Sequence, residues 1–410
     1  MTRTSTMRHS RTVRMLVVGA AAVLALGSAG CSSKSDDSSG GGGSALSIQP
    51  LVQIGPDGKE VPKTEATAAA DPAGDGKATC APQVIGMVGP LTGGNAALGI
   101  NVLDGVKLAL DKHNKANPNC QVSVKQFDTE GKPQNATAVV PTVVSDASIV
   151  GLVGPTFSGE TKATGQIISE AGLPALTASA TNATLSKNGW KTFFRGLNND
   201  DDQGAAVGKY LVNTKNFKKV CVVADNTDYG TGLAKSVSEA LGAANDTSCA
   251  IGVKEGDKDF SAAVSKLSAA KPDAIFYSGY YAESAPFVQQ LRTAGVTTPF
   301  VSADGSNDPE FVRQAGTASK DALLSCPCGP APDKFASDYK ALNGQAPGVY
   351  SVEAYDLTTI LLKGIDAGKV TRPDLLEYVR TYKGTGLSKP FEFGPTGELS
   401  AARIWIYQVK

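Results

Sequence analysis

Histidine is nearly missing from this chain: two residues in 410, His9 and His113. His9 falls in an N-terminal stretch with the marks of a removed signal, so a processed chain keeps one. A single imidazole, with no paired C-x-x-C motif beside it, argues against a zinc centre. It also leaves a Ser–His–acid triad only His113, which sits near the end of a predicted helix, away from the loops on which the chain converges. No paired acids stand out, so no catalytic residue, metal ligand or cofactor is expected. The glycine-rich loop Gly89-Pro90-Leu91-Thr92-Gly93-Gly94 lacks both the G-x-G-x-x-G spacing of dinucleotide sites and the lysine of a phosphate loop. Asp128, at the end of the following strand, stands where a ribose-binding acid would, but without that spacing the loop reads as a tight turn at a sheet edge. No basic stripe is present, which excludes nucleic acid as the expected partner. Aromatic residues are sparse, and past residue 30 no apolar run is long enough to span a bilayer.

What is present begins with an address. Arg3, Arg8, Arg11 and Arg14 form a basic start, Met15–Leu26 a short apolar run, and Ser28-Ala29-Gly30 a small-residue approach to Cys31. The pattern resembles a bacterial lipoprotein signal over residues 1–30, with Ser28 where that pattern usually has Leu. It implies cleavage before Cys31, lipid on Cys31, and an extracytoplasmic protein anchored to the cell membrane. Plain secretion with an unmodified Cys31 is the competing reading. Loss of the four arginines leaves thirty-five cations against thirty-nine acids, a net charge of −4. Ser32–Ser44 is almost entirely Ser, Gly and Asp and reads as a flexible tether. Ala45–Thr79 has few large apolar residues and reads as extended linker, so that 31–80 lies outside the folded lobes. Six cysteines follow Cys31, an even number that in an exported chain points to disulfides. Cys80 and Cys120 each precede a predicted strand, Cys221 starts one and Cys249 precedes the next. If those strands are parallel neighbours, each pair comes within bridging reach. Cys326 and Cys328, with one proline between them, could close on themselves.

From Gln83 onward strands and helices alternate: Val84–Gly89, helix Ala96–Asn114, Gln121–Asp128, helix Gln134–Ser145, Ile149–Val153. The pattern restarts at Lys219–Ala224 and continues through strands at Ala274–Ser278, Phe300–Ser302 and Ala322–Ser325. Such alternation means parallel sheets covered by helices, here in two successive blocks. The chain is too long for one core of ordinary size, so two lobes are expected. The end differs: Phe391–Phe393, a turn at Pro395-Thr396-Gly397, and Arg403–Val409 read as a hairpin.

The segment Ile149–Asn182 organises the rest. Its apolar opening suits a strand buried on both faces. After the turn Gly154-Pro155-Thr156-Phe157, Ser158 stands where a helix should begin, with Glu160 and Thr161 in its first turn. Gly172 ends that helix, and Leu173–Thr177 reads as the next strand. Two hydroxyl-bearing loops, Phe157–Ser158 and Ser179–Thr181, therefore leave the same edge of neighbouring parallel strands, where open α/β sheets bind ligands. Exposed amides at a helix start suit a carboxylate.

GMVGPLTG at residues 86–93, Phe127-Asp128-Thr129, VGPTFSGET, the Arg195…Asp202-Gln203-Gly204 stretch, Asp228-Tyr229-Gly230 and Lys258-Asp259-Phe260-Ser261 together resemble the leucine/isoleucine/valine-binding proteins, substrate-binding components of ABC transporters. The resemblance covers roughly Gln83 to Lys410. It implies the type I periplasmic-binding fold: two doubly wound α/β lobes, 81–199 with 329–389 and 200–328 with 390–410, joined by a three-crossover hinge near Asn198–Asp202, Cys326–Pro330 and Ser388–Phe391. It also implies a monomer that clamps an amino acid, with branched-chain side chains favoured, and delivers it to an ABC permease and ATPase. By position, Ser158 would donate to the ligand carboxylate, and Ser179 and Thr181 would contact its carboxylate and ammonium. Tyr229 and Tyr280 would face the cleft from the second lobe. Asp304 would pair with the ammonium, where leucine-type members have Glu. Leu98 stands where several members place an aromatic, and Phe157 would wall the pocket. An amide, urea-like or other small carboxylate solute, or a sensor acting through a partner, is the alternative.

Overall fold

Ile149–Val153 is buried at every position, as a strand covered on both faces must be. It is the central strand of a five-stranded parallel sheet in the order Val122–Asp128, Gln83–Gly89, Ile149–Val153, Ala175–Thr177, Phe193–Arg195. The computed structural model describes residues 46–63, 68–400 and 403–410; the signal, Cys31 and the Ser/Gly tether fall outside them. Helices Ala96–Ala116, Pro133–Ser145 and Ser158–Glu170 make the crossovers. The first buries Leu98, Val102, Val106, Leu110 and His113, the spacing of one helical stripe. Strand order reverses beside Gln83–Gly89, so the loops after Gly89 and Val153 open at the sheet's switch point. Gly154 there has φ +116°, and a Cβ on it would lie 2.4 Å from the Val88 carbonyl oxygen, so only glycine makes this turn.

The second sheet has eight strands. Ile251–Gly252, Val220–Ala224, Ala274–Ser278, Phe300–Ser302 and Leu323–Cys326 run parallel, and Ile404–Val409 then pairs antiparallel with Leu323–Cys326. Beyond it lie Ile48–Ile54 and Glu60–Val61, both antiparallel. Two expectations change here. The stretch expected as linker supplies the strand Ile48–Ile54, paired from Ile48↔Val409 to Ile54↔Ile404 with a register shift between Pro50 and Val52. The expected C-terminal hairpin is reduced to one bridge, Phe393↔Leu399, while Pro390–Glu392 pairs with Lys383–Thr385 in a separate ribbon. The physical reason is long-range pairing: Ile404–Val409, whose Ile404, Trp405, Ile406, Tyr407 and Val409 are all buried, is bonded on one edge to Ile48–Ile54 and on the other to Leu323–Cys326.

The chain passes between the sheets after Arg195, after Cys326 and after Glu392. The last crossing is later than the Ser388–Phe391 position expected. A fourth crossing follows Val61. Residues 68–80 lie on the first lobe, where Ala70 N donates to Thr385 O (2.6 Å) and Asn117 donates to Ala73 O (2.9 Å). The structure pairs Cys80 with Cys120, Cys221 with Cys249 and Cys326 with Cys328, at Cα separations of 4.5, 5.5 and 4.9 Å. No described helix is long and apolar enough to cross a membrane.

Candidate functional site

Ser158 begins its helix, but its hydroxyl does not cap it. Ser158 Oγ accepts from Asn182 N (3.1 Å), joining the two predicted loops. The capping group is Glu160, whose carboxylate accepts from Phe157 N (2.6 Å) and from the Thr129 hydroxyl. Burial pushes the Glu160 carboxyl up to about 7 against these two bonds. Ser179 donates to Thr156 O (2.6 Å), so its hydroxyl proton shapes the loop. Thr181 is fully buried and its Oγ1 has no hydrogen-bond partner.

Arg195 fixes this loop. It is fully buried, and its guanidinium donates to Ala180 O (2.8 Å) and Asn182 O (2.9 Å), the carbonyls on either side of Thr181. The other side of the guanidinium pairs with Glu398 on the third crossing. Such a bidentate arrangement sets orientation as well as charge.

The second lobe brings three strand ends to the same place. Asp304, fully buried, accepts from Gln203 Nε2 (2.8 Å) and the Tyr229 hydroxyl (2.9 Å) on one oxygen, and from the Tyr350 hydroxyl (2.7 Å) on the other. Burial raises its pKa, and these three donors oppose the rise. Tyr280 stacks on Phe157 of the first lobe at a centroid distance of 4.3 Å and tilts against Tyr229 at 5.0 Å. The faces of the two lobes are in contact around these rings. Asn101 donates to Asp308 (2.7 Å) and Ala282 N to Asn95 (3.2 Å), while Lys162 pairs with Asp228 (2.6 Å) and Asn182 donates to Asp228 O (2.6 Å).

Contacts across the two lobe faces therefore join Phe157 to Tyr280, Tyr280 to Tyr229 and Tyr229 to Asp304, while Ser158 meets the Thr181 loop at Asn182 and Ser179 is turned to Thr156 O. Leu98 is fully buried in the apolar core, with no polar role. Sequence reasoning did not assign Tyr350, Gln203, Asp200 or Arg195. Arg195 and Gln203 fell inside a motif already noticed. Tyr350 gave no signal, because its place depends on a left-handed backbone (φ 71°) that nothing local announces. Asp200 sits between the lobes, 1% exposed, and its main-chain N donates to Thr181 O (2.8 Å). Burial and the nearby Asp304 charge raise its pKa well above the ordinary value. Thr181 Oγ1 tempers this shift without reaching hydrogen-bond geometry.

Other candidates resolve into structure. His113 bonds Asp366 (2.8 Å) and Asn114 (3.2 Å) in the first lobe. Asp128 accepts from Leu91 N (2.9 Å), Thr92 and Glu130 N, and so shapes the glycine-rich turn. Two clusters hold ligand-type groups, His113/Cys120/Asp366 and Cys221/Asp246/Cys249, and in both the cysteines are drawn into the sulfur pairs.

A family model described as periplasmic binding protein matches residues 82–410. The leucine-, isoleucine-, valine-, threonine- and alanine-binding protein of Pseudomonas aeruginosa is 28% identical over 332 residues, covering 79% of this chain and 89% of that one. Among solved structures, a branched-chain amino acid transporter substrate-binding protein from Streptococcus pneumoniae, in complex with isoleucine, has a TM-score of 0.75 at 26% identity, covering 80% and 99% of the two chains. A solute-binding protein from R. palustris in complex with benzoate has a TM-score of 0.73 at 18% identity, covering 80% and 94%, a likeness of fold.

Proposed function

The chain belongs to the periplasmic binding protein family and has its type I fold of two α/β lobes; from that premise we propose that it captures an amino acid between the lobes, outside the cytoplasm, and hands it to an ABC permease. The observation that carries this reading is the meeting of two opposite chemistries across one cleft. The first lobe offers hydroxyls and a helix start at Ser158 and Thr181, suited to a carboxylate. The second lobe offers buried acid at Asp304. Phe157, Tyr229 and Tyr280 supply aromatic surface between them. A zwitterion with an apolar side chain satisfies all three. Charge-assisted hydrogen bonds of this kind contribute about 1.5–3 kcal/mol each, and closure strengthens them by excluding water.

Processing at Cys31 would leave the protein lipid-anchored through its tether and monomeric. The tether leads into Ile48–Ile54, so the second lobe would be the anchored one. Isothermal titration of the mature protein against the twenty common amino acids tests the reading. Branched-chain amino acids are expected to bind at micromolar affinity or tighter, with no turnover. Absence of binding by every amino acid refutes it. The stack of Phe157 on Tyr280 favours one second reading, a flat aromatic carboxylate; binding of benzoate with no amino acid bound would establish it.

A further inference from the structure

Trp405, in the last strand, lies against the second crossing between the lobes: a Cβ on Gly329 would stand 3.4 Å from the indole Nε1. The side chain is 7% exposed, and a buried indole N–H ordinarily finds an acceptor. This one has none among the described residues. Two cations beside it are in the same condition. Lys63 lies over the Trp405 ring at 5.8 Å and forms no ion pair among the described residues. Arg403 is anchored by its main-chain N, which donates to Asn198 Oδ1 (3.0 Å), while its guanidinium meets no acceptor among the described residues.

All three line one cavity of about 420 Å³, walled by the second crossing, by the loop Leu387–Lys389 and by the start of the last strand. Pro327, Pro330, Ala331 and Leu387 make much of its surface apolar. The helix Asp333–Asn343 begins at its edge with no side-chain cap, so further main-chain N–H groups are left over there. A mostly apolar hollow of this size, with a few polar groups to fix orientation, is the ordinary form of a small-molecule site. None of Phe157, Ser158, Thr181, Tyr229, Tyr280 or Asp304 lines it, so it is separate from the cleft. Lys63 also lies outside residues 82–410, the part of the chain that the family model matches.

Charge decides what such a cavity holds. Lys389 reaches it too, but its ammonium is already engaged: it donates to Pro327 O (3.0 Å) and pairs with the buried Glu353 (3.4 Å). That leaves Lys63 and Arg403 against Asp333, two cations to one acid. We propose that this cavity is a second ligand site and that it takes a small organic carboxylate. The charged end meets Arg403, Lys63 and the Trp405 N–H, and the apolar body lies against Pro327, Pro330 and Leu387. A guanidinium suits the two-oxygen face of a carboxylate, and a single excess positive charge suits a monoanion. The assignment is independent of which solute the cleft binds.

Trp405 can report on its own site. The chain has two tryptophans, so Trp190→Phe leaves Trp405 as the sole indole. The test is fluorescence titration of mature Trp190→Phe protein, at fixed pH and ionic strength, with cyclohexanecarboxylate and its uncharged isostere cyclohexanecarboxamide. The carboxylate is expected to change Trp405 emission saturably, with a dissociation constant of about 1 mM, ordinary for so small a ligand. The amide is expected to bind roughly tenfold more weakly or worse, the size of a lost charge-assisted hydrogen bond. Arg403→Gln in the same background is expected to weaken the carboxylate by roughly tenfold with the melting temperature unchanged. The site is overturned by the absence of a saturable change below about 20 mM, by equal affinities for the two probes, or by undiminished binding to Arg403→Gln. Should Arg403→Gln fail to fold, Lys63→Gln takes its place at an exposed position, with a loss of roughly threefold expected and no loss overturning the site. Saturating L-leucine is expected to leave the titration in place; displacement of the carboxylate by leucine would put it in the cleft and overturn the assignment. If leucine does not bind at all, the amino-acid reading fails and this site is decided by the other results.

Discussion

Arg195 shows how one side chain can organise a site without touching what the site holds. Its guanidinium bridges the two carbonyls that flank Thr181 and the carboxylate of Glu398, and no part of it reaches solvent. Arg195→Met is expected to lower stability by about 3–5 kcal/mol, because Glu398 and two carbonyls then lose their partner. Urea unfolding measures this, and a change below about 1 kcal/mol would mean the loop holds itself. Tyr350 works differently. Its hydroxyl reaches from the first lobe to Asp304 in the second, so separation of the lobes would break this bond. Tyr350→Phe should therefore weaken solute binding by roughly tenfold or more while leaving the melting temperature of the solute-free protein nearly unchanged. An equal loss in both would place the bond in the open protein as well. Neither residue was fully legible beforehand, and Asp200 shows why. In the run Asp200-Asp201-Asp202-Gln203 each acid has a sufficient local explanation, since acids at a helix start interact well with its dipole. Only tertiary packing distinguishes Asp200, which is buried, from Asp201, which is exposed.

Among the elements, those read correctly are the ones whose burial is written in their own composition. Ile149–Val153 and Ala274–Ser278 are continuous apolar runs, and both are buried at every position. Helix Ala96–Ala116 carries its apolar stripe at helical spacing. What was misread depends on partners far away in the chain. Ile48–Ile54 (I-Q-P-L-V-Q-I) contains a proline and two glutamines, and its reason to be a strand is Ile404–Val409, some 350 residues later. In turn, Ile404–Val409 has a turn close before it, and that local cue hid its true neighbours on both sides. The consequence can be measured. A mature chain begun at Gly58 exposes the edge of Ile404–Val409, an apolar strand with open main-chain groups, and is expected to melt at a lower temperature and to aggregate. Unaltered melting would reduce the strand to a surface appendage. The cysteines operate at this scale too, since each of the longer pairs ties adjacent parallel strands together. Closing loops with sequence separations of 40 and 28 should each stabilise the protein by about 3–4 kcal/mol. Denatured, unreduced protein is expected to take up no iodoacetamide on these six cysteines; labelling of any pair would show it to be reduced in the native protein.

For the molecule as a whole, the dominant electrostatic feature is the number of acids drawn out of water. Glu160, Glu283 and Asp356 are pushed up to about 7, and Asp225 and Asp308 to about 6, in every case chiefly by burial. In the unfolded chain the same groups titrate near 4. Between those values the folded state holds more protons than the unfolded state, so stability falls as pH rises through this window. Groups shifted the other way, such as Asp146, lowered to about 2, contribute above their unfolded pKa and lose that contribution only as pH falls below about 4. The two trends place the stability maximum near pH 4, and the melting temperature is expected to drop by several degrees by pH 7.5. Glu160→Gln isolates one share of this effect. A glutamine can still accept from Phe157 N through Oε1 and can meet the Thr129 hydroxyl with Nε2, but it has no charge to desolvate. Its effect on the melting temperature should be smallest at the acid end of the range and grow to an increase at pH 7.5 equivalent to about 2 kcal/mol or more. Calorimetric scans of both proteins across pH 4.5–8 at fixed ionic strength provide the comparison. Parallel curves would mean that Glu160 titrates alike in the folded and unfolded chains, and that the fall in stability arises from the other buried acids.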